Sequence, residues 1–166
     1  MPDMDEGLSP TEIALIRESW QPFAKDIQET GITFFLAFFK RQADYQEAFP
    51  FRGVPLSELR QNESFRRHAK AVLQFIDTAI ASLENTSEIL SMLESNGKSH
   101  GRKNLGLTWS HYEHLEFTLL DVIDEFYEQE KRPLSSLEKE TWAKFIRSVT
   151  SGIGARDIWM SQEYYD

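Results

Sequence analysis

The sequence predicts an all-α protein with a single domain. Apolar residues recur at helical spacing in several stretches, and no stretch alternates apolar and polar residues for long enough to indicate a strand. Capping residues mark where the helices start, and prolines and glycines mark the breaks between them. With 166 residues, of which 40% are hydrophobic and 13% aromatic, the chain is long enough for one domain around one core.

The first predicted helix opens on a capping sequence. Ser9 can cap the helix, Pro10 suits its first position, and Glu12 completes a capping box. A second helix is predicted from about residue 26 to residue 41. Apolar residues on one side of each helix are expected to face the core: Ile13, Ile16, Trp20 and Phe23 in the first, and Phe35, Phe38 and Phe39 in the second.

A corner separates the second helix from the third. Pro50, Gly53 and Pro55 break the chain, so short helical turns at most are predicted for residues 45–61. Asn62 can cap the helix that follows. Six residues of that helix are predicted to share one face: Phe65, His68, Val72, Phe75, Ile76 and Ala79.

The remaining helices are predicted from polar caps and glycine stops. Residues 85–87 open a shorter helical segment, and residues 101–106 are expected to form a loop. Ser110 is predicted to start a long helix, a second capping box over residues 135–138 opens the last helix, and the glycines at 152 and 154 are expected to end it. The expected core residues are Ile89, Leu90 and Leu93, then Tyr112, Leu115, Leu119, Val122 and Phe126, and finally Trp142, Phe145, Val149 and Ile153.

Composition and charge exclude several classes of function. The formal net charge is −9 and the basic residues are dispersed, which argues against nucleic acid as a partner. The absence of cysteine excludes disulfides, thiolate catalysis and thiolate ligation of a metal. The longest apolar run, residues 32–39, is too short to span a bilayer, and residues 1–7 do not resemble a signal peptide. We therefore expect a cytoplasmic protein without a membrane span.

The four histidines are the residues with the clearest potential for chemistry. A histidine on a helix usually lies at the surface or has its hydrogen bonds satisfied. His68, however, interrupts an apolar face, where a polar ring needs a partner such as a metal or a bound polar ligand. His100 follows Lys98 and Ser99 and precedes a glycine, a position from which it can reach inward. His111 and His114 lack the glutamate spacing of known metal motifs, so they are predicted to lie on a helix surface.

Five residues occur in the order and at the spacing of a known family. Trp20, Phe35, Phe49, His68 and His100 follow one another at intervals of 15, 14, 19 and 32 positions. Their local sequences are similar to those of neuroglobin-like and invertebrate globins at residues 18–20, 48–51, 65–72 and 97–100. The sequence thus resembles the globin family over nearly its whole length, from about Leu8 to Ile153.

The resemblance implies a globin fold of six to eight helices around a haem pocket. The globin domain would cover residues 8–153, between an N-terminal extension (residues 1–7) and a C-terminal tail (residues 154–166). The cofactor would be haem b, with His100 as the proximal iron ligand and His68 on the distal side, where it either stabilises a bound gas or ligates the iron itself. The other implied cofactor contacts are Phe35, Phe49, Val72, Ser99, Tyr112 and Leu115, with Leu105 or Leu107 from the loop after His100.

The function implied by the resemblance is reversible binding of dioxygen or another diatomic gas, for storage, transport or sensing. A haem enzyme on the same scaffold is the main alternative, with nitric oxide dioxygenase or nitrite reductase activity, or a redox role in electron transfer. A globin fold without haem, used as an interaction module, is a third possibility, against which the presence of both His68 and His100 argues. A reductase is a candidate partner, and both a monomer and a homodimer are compatible with the sequence.

Overall fold

The computed structural model describes residues 7–85, 87–89, 91, 92, 95 and 109–163. All regular elements in this part of the chain are helical, which confirms the predicted all-α class. They include α1 (Pro10–Ala24), α2 (Ile27–Arg41), a 3₁₀ helix (Ala43–Ala48), α3 (Leu56–Leu59), α4 (Glu63–Ala81), α5 (Trp109–Gln129) and α6 (Ser136–Glu163). No helix within these residues is both long and apolar enough to cross a membrane.

The predicted helix starts are present as hydrogen-bonded caps. At α1, the backbone N–H of Glu12 donates to Ser9 Oγ at 3.2 Å, and that of Ser9 donates to Glu12 Oε1 at 2.9 Å. Ser135 and Glu138 make the same reciprocal pair before α6, both at 3.1 Å. Asn62 caps α4 by accepting from the N–H of Phe65 at 2.9 Å. Each cap satisfies backbone donors that the first turn of a helix leaves unpaired.

One helix boundary differs from its prediction. Helix α5 (Trp109–Gln129) contains the predicted start, Ser110, in its first turn. Helix α6 continues through Gly152 and Gly154 to Glu163, so the predicted glycine stop is wrong. Glycine in a helix costs about 1 kcal/mol relative to alanine but keeps its N–H donor, and it therefore weakens a helix without breaking it. The predictions for Leu90, Leu93 and residues 101–106 lie outside the described residues.

Helices α2 and α4 approach each other most closely at Gly31. A Cβ atom on Gly31 would lie 2.4 Å from the backbone oxygen of Ala69 and 2.7 Å from its carbonyl carbon. Glycine at this position lets the two backbones meet without a side chain between them. Because Ala69 follows His68 directly, this contact fixes where α4 presents His68 relative to the phenylalanines of α2.

Buried polar groups tie the first helix to the rest of the bundle. Ser19 Oγ accepts from Trp142 Nε1 at 2.8 Å, and the backbone oxygen of Ser19 accepts from the Tyr127 hydroxyl at 2.6 Å. Trp20 Nε1 donates to Asp77 Oδ1 on α4 at 2.8 Å. These bonds connect α1 to α4, α5 and α6.

Candidate functional site

A cavity lies between helices α2, α4, α5 and α6. It contains about 850 Å³ of space outside the protein atoms, a figure that includes space open to solvent. Its walls are mainly aromatic and aliphatic, which suits a flat apolar group. The lining residues are Phe34, Phe35, Phe38, Phe49, His68, Val72, Phe75, Ile76, His111, Tyr112, Leu115, Leu119, Ile146, Val149 and Thr150.

The structure brings several of the predicted site residues together around this cavity. Those among the lining residues are Phe35, Phe49, His68, Val72, Tyr112 and Leu115. The predictions for Ser99, His100, Leu105 and Leu107 lie outside the described residues. The six that are described come from α2, the corner, α4 and α5, so they are far apart in the sequence and share one cavity only because of the fold.

His68 projects into a cluster of aromatic rings. Its ring centroid lies 5.1 Å from that of Phe35, 5.0 Å from that of Phe49 and 5.8 Å from that of Phe51. The first two contacts are edge-to-face, with interplanar angles of 64° and 66°. The three phenylalanines are buried and His68 is half-buried. They restrict the rotation of the imidazole and keep it at the wall of the cavity.

The apolar face predicted for α4 divides into two adjacent stripes. The buried stripe contains Phe65, Ala69, Leu73, Ile76, Ala79 and Ile80. His68, Val72 and Phe75 lie beside it, are only partly buried and line the cavity. The helical period correctly predicts which side of α4 faces inward, but the division depends on α2, against which the buried stripe packs.

Several lining residues were not predicted as part of the site. Phe34 and Phe38 come from α2, and Ile146 and Thr150 come from α6. Phe34 is four residues before Phe38 and stacks with it at an interplanar angle of 9°. This helical spacing places both rings on one side of α2, so the sequence does indicate that Phe34 accompanies Phe38. The α6 residues carried no comparable signal, because α6 reaches the cavity through its packing against α5.

His111 and His114 do not lie on an open helix surface, so that prediction is wrong. His111 lines the cavity, and its ring stacks on Tyr45 with a centroid distance of 4.0 Å and an interplanar angle of 28°. His114 Nδ1 lies 2.8 Å from the backbone oxygen of Ser110 and 3.0 Å from Tyr45 Oη. The periodicity of α5 could not indicate this arrangement, because the partner ring comes from the 3₁₀ helix.

A hydrogen-bond network fixes Tyr45 against α5. Tyr45 Oη lies 2.8 Å from Ser110 Oγ, and a side-chain nitrogen of Gln42 lies 3.4 Å from His114 Nε2. With a proton on its Nδ1, His114 donates to the Ser110 carbonyl and leaves Nε2 to accept from Gln42. The 3₁₀ helix is thereby attached to the first turns of α5.

The electrostatic environment keeps His111 uncharged at neutral pH. Burial lowers the pKa of His111 below its ordinary value, and the nearby His114 lowers it further. The carboxylate of Asp44 raises this pKa but does not offset the effect of burial. The wall of the cavity therefore carries a neutral imidazole at His111, with one nitrogen as a donor and the other as an acceptor.

The comparison with protein families decides which family this is. The family model of the globins matches residues 32–153. The chain is a globin. The match spans more than half of the chain and includes His68, His100 and all the lining residues of the cavity. Globins are haem proteins that bind diatomic gases, and this globin has a cavity that suits such a cofactor.

Known globins are similar to this one along most of their length. A globin from Aequiyoldia eightsii is 25% identical over 149 residues, which cover 89% of this chain and 97% of that protein. The solved structure of a hexa-coordinate haemoglobin from Drosophila melanogaster superimposes with a TM-score of 0.79 at 27% identity, covering 88% of this globin and 93% of that chain. A hexacoordinated haem protein from an anhydrobiotic tardigrade has a TM-score of 0.80 at 22% identity, with 93% and 98% covered, and supports the fold alone.

Proposed function

We propose that this globin holds haem b in the cavity and uses it to bind dioxygen or another diatomic gas reversibly. The observation that carries the proposal is the position of His68, whose imidazole faces an apolar cavity from within three phenylalanine rings. A metal-centred cofactor is the partner that this combination of an apolar wall and a nitrogen ligand suits best.

The residues of the cavity fit haem in chemistry. Phe35 and Phe49 offer aromatic surface for the porphyrin, and Val72, Tyr112 and Leu115 complete the apolar wall. His100 would hold the iron from the proximal side, with Ser99 available to orient its ring, as the family resemblance implies. When bound, the haem supplies the iron that binds the gas, and the protein supplies the ligands and a dry pocket.

We propose that His68 is the sixth ligand of the iron in the absence of gas. Its enclosure by Phe35, Phe49 and Phe51 orients the ring. The contact of Gly31 with Ala69, the residue after His68, fixes the position of α4 relative to α2. The similarity to the hexa-coordinate haemoglobin of Drosophila melanogaster supports the same arrangement. His68 would then compete with a gas for the iron, so the apparent dissociation constant would be the intrinsic one divided by the fraction of open sites.

Replacing His68 with leucine tests this role. We expect His68→Leu to speed the association of dioxygen or carbon monoxide and to strengthen the apparent affinity, because the competing ligand is gone. The ferrous, deoxygenated protein should show sharp split visible bands, and His68→Leu should show one broad band. Rapid-mixing kinetics and absorption spectra measure both effects. Gln74→Leu, on the exposed side of α4, is the matched control and should change neither.

The opposite kinetic result would assign a different role to His68. If His68 only donates a hydrogen bond to bound dioxygen, its loss should raise the dissociation rate of dioxygen roughly ten- to hundredfold. The ferrous spectrum should then be that of five-coordinate iron in both the unmodified protein and His68→Leu. A broad ferrous band in the unmodified protein would therefore overturn the assignment of His68 as an iron ligand.

A further inference from the structure

The haem that this pocket is proposed to hold has an apolar body and two carboxylates at one edge. No lysine or arginine lines the cavity within the described residues. The nitrogen-bearing side chains among them are the imidazoles of His68 and His111. A carboxylate next to an apolar wall needs a hydrogen-bond donor or contact with water. The donors that line the cavity are these two imidazoles and the hydroxyls of Tyr112 and Thr150, and Thr150 already donates to the backbone oxygen of Ile146 at 3.0 Å.

The two ends of the cavity differ in character along α5. Leu119 is buried, as are Ile146 and Val149 opposite it on α6. His111 lies two turns earlier on α5, about 12 Å away along the helix axis, and is half-buried beside the 3₁₀ helix. An amphipathic cofactor would place its apolar edge towards Leu119 and its carboxylate edge towards His111.

His111 is held in position by its neighbours before any cofactor arrives. The ring of Tyr45 covers one face of the imidazole, and the Tyr45 hydroxyl is fixed by Ser110 and His114. His68 is instead enclosed by phenylalanine rings and belongs to α4. A donor that is fixed in advance loses little entropy when it binds a carboxylate.

We propose that His111 orients the haem by donating a hydrogen bond from its imidazole to one of the haem carboxylates, while Tyr45 holds the ring in place. This inference rests on the proposed function, because it requires that the cavity binds haem. It assigns a role to a histidine that lies on a different helix from His68. It also explains why Tyr45 and His114 form a network at this end of the cavity.

Haem dissociation measured with two cofactors tests the proposal. The probes are haemin and its dimethyl ester, whose carboxylates are blocked, and the readout is transfer of the cofactor to an excess of apomyoglobin. His111→Phe keeps a ring against Tyr45 and removes the N–H donor. We expect His111→Phe to lose haemin about ten- to hundredfold faster than the unmodified protein, the range for one hydrogen bond to a charged group. The ester keeps carbonyl acceptors but carries no charge, so the difference between the two proteins should be much smaller with the ester than with haemin.

Each result has a single meaning. An equal acceleration with both cofactors, or none with haemin, would overturn the proposal, because the imidazole would then act through packing or not at all. His111→Gln retains an N–H donor and should release haemin more slowly than His111→Phe. If His111→Phe does not fold, His111→Ala removes the donor in its place and should show the same dependence on the haem carboxylates. If the unmodified protein takes up neither cofactor, the proposed function fails instead.

Discussion

His100→Ala is expected to abolish stable haem binding. A proximal nitrogen ligand provides the strongest bond between a globin and its cofactor, and His100 is the histidine at the family spacing from His68. Without it, the iron would keep only the ligand from the distal side. Gel filtration after reconstitution with haemin should leave the variant essentially colourless. In His100→Gly, free imidazole should restore part of the visible spectrum, because it can replace the missing side chain.

The other histidines provide the controls for this variant. His111→Ala and His114→Ala should keep the positions of the visible bands, since neither residue is proposed to touch the iron. If His100→Ala kept an unchanged spectrum while one of these two lost it, the proximal ligand would have to be reassigned to α5.

Gly31→Ala is expected to destabilise the protein, although alanine is the better helix former. Helix propensity alone predicts a gain of about 1 kcal/mol for this substitution. The added Cβ, however, would lie 2.4 Å from the backbone oxygen of Ala69, and backbone cannot move aside as a flexible side chain can. Overpacking costs about 1–3 kcal/mol, and a clash with backbone belongs at the upper end of that range. After the propensity gain of about 1 kcal/mol, we expect a net loss of about 2 kcal/mol and a Tm lower by roughly 4–8 °C.

The same substitution should also disturb the cofactor site. Pushing α4 away from α2 moves Ala69 and also His68, which precedes it in the sequence. The proportion of ferrous protein in which His68 ligates the iron should therefore fall. Thermal unfolding and the ferrous spectrum measure the two effects. Gly7→Ala is the control, because a Cβ there meets nothing within 4 Å and should leave both unchanged. A more stable Gly31→Ala variant would contradict the close approach of α2 and α4.

The sequence predicts the helix starts well because they depend on local chemistry. A capping box such as Ser9 with Glu12 needs only residues three positions apart, and both predicted boxes are present. The helical period likewise predicts which side of α4 faces inward. The glycines of α6 misled the prediction, because the cost of glycine in a helix is small enough for the rest of the helix to offset.

The site could be predicted only as far as its residues carry a recognisable spacing. Phe35, Phe49 and His68 follow the family order, and the structure places all three at one cavity. His111 had no such signal, since its environment is created by Tyr45, which is distant in sequence and reaches it through the 3₁₀ helix. Contacts of this kind depend on how helices pack, and helix periodicity does not contain that information.

The most direct test of the central claim is an absorption titration of the purified globin with haemin. We expect a sharp Soret band that saturates at one haem per chain and remains with the protein through gel filtration. Saturation at this ratio would show that the chain has one specific haem site. Haemin that stays at its free absorption maximum, and separates from the protein on the column, would contradict the claim that this cavity holds haem.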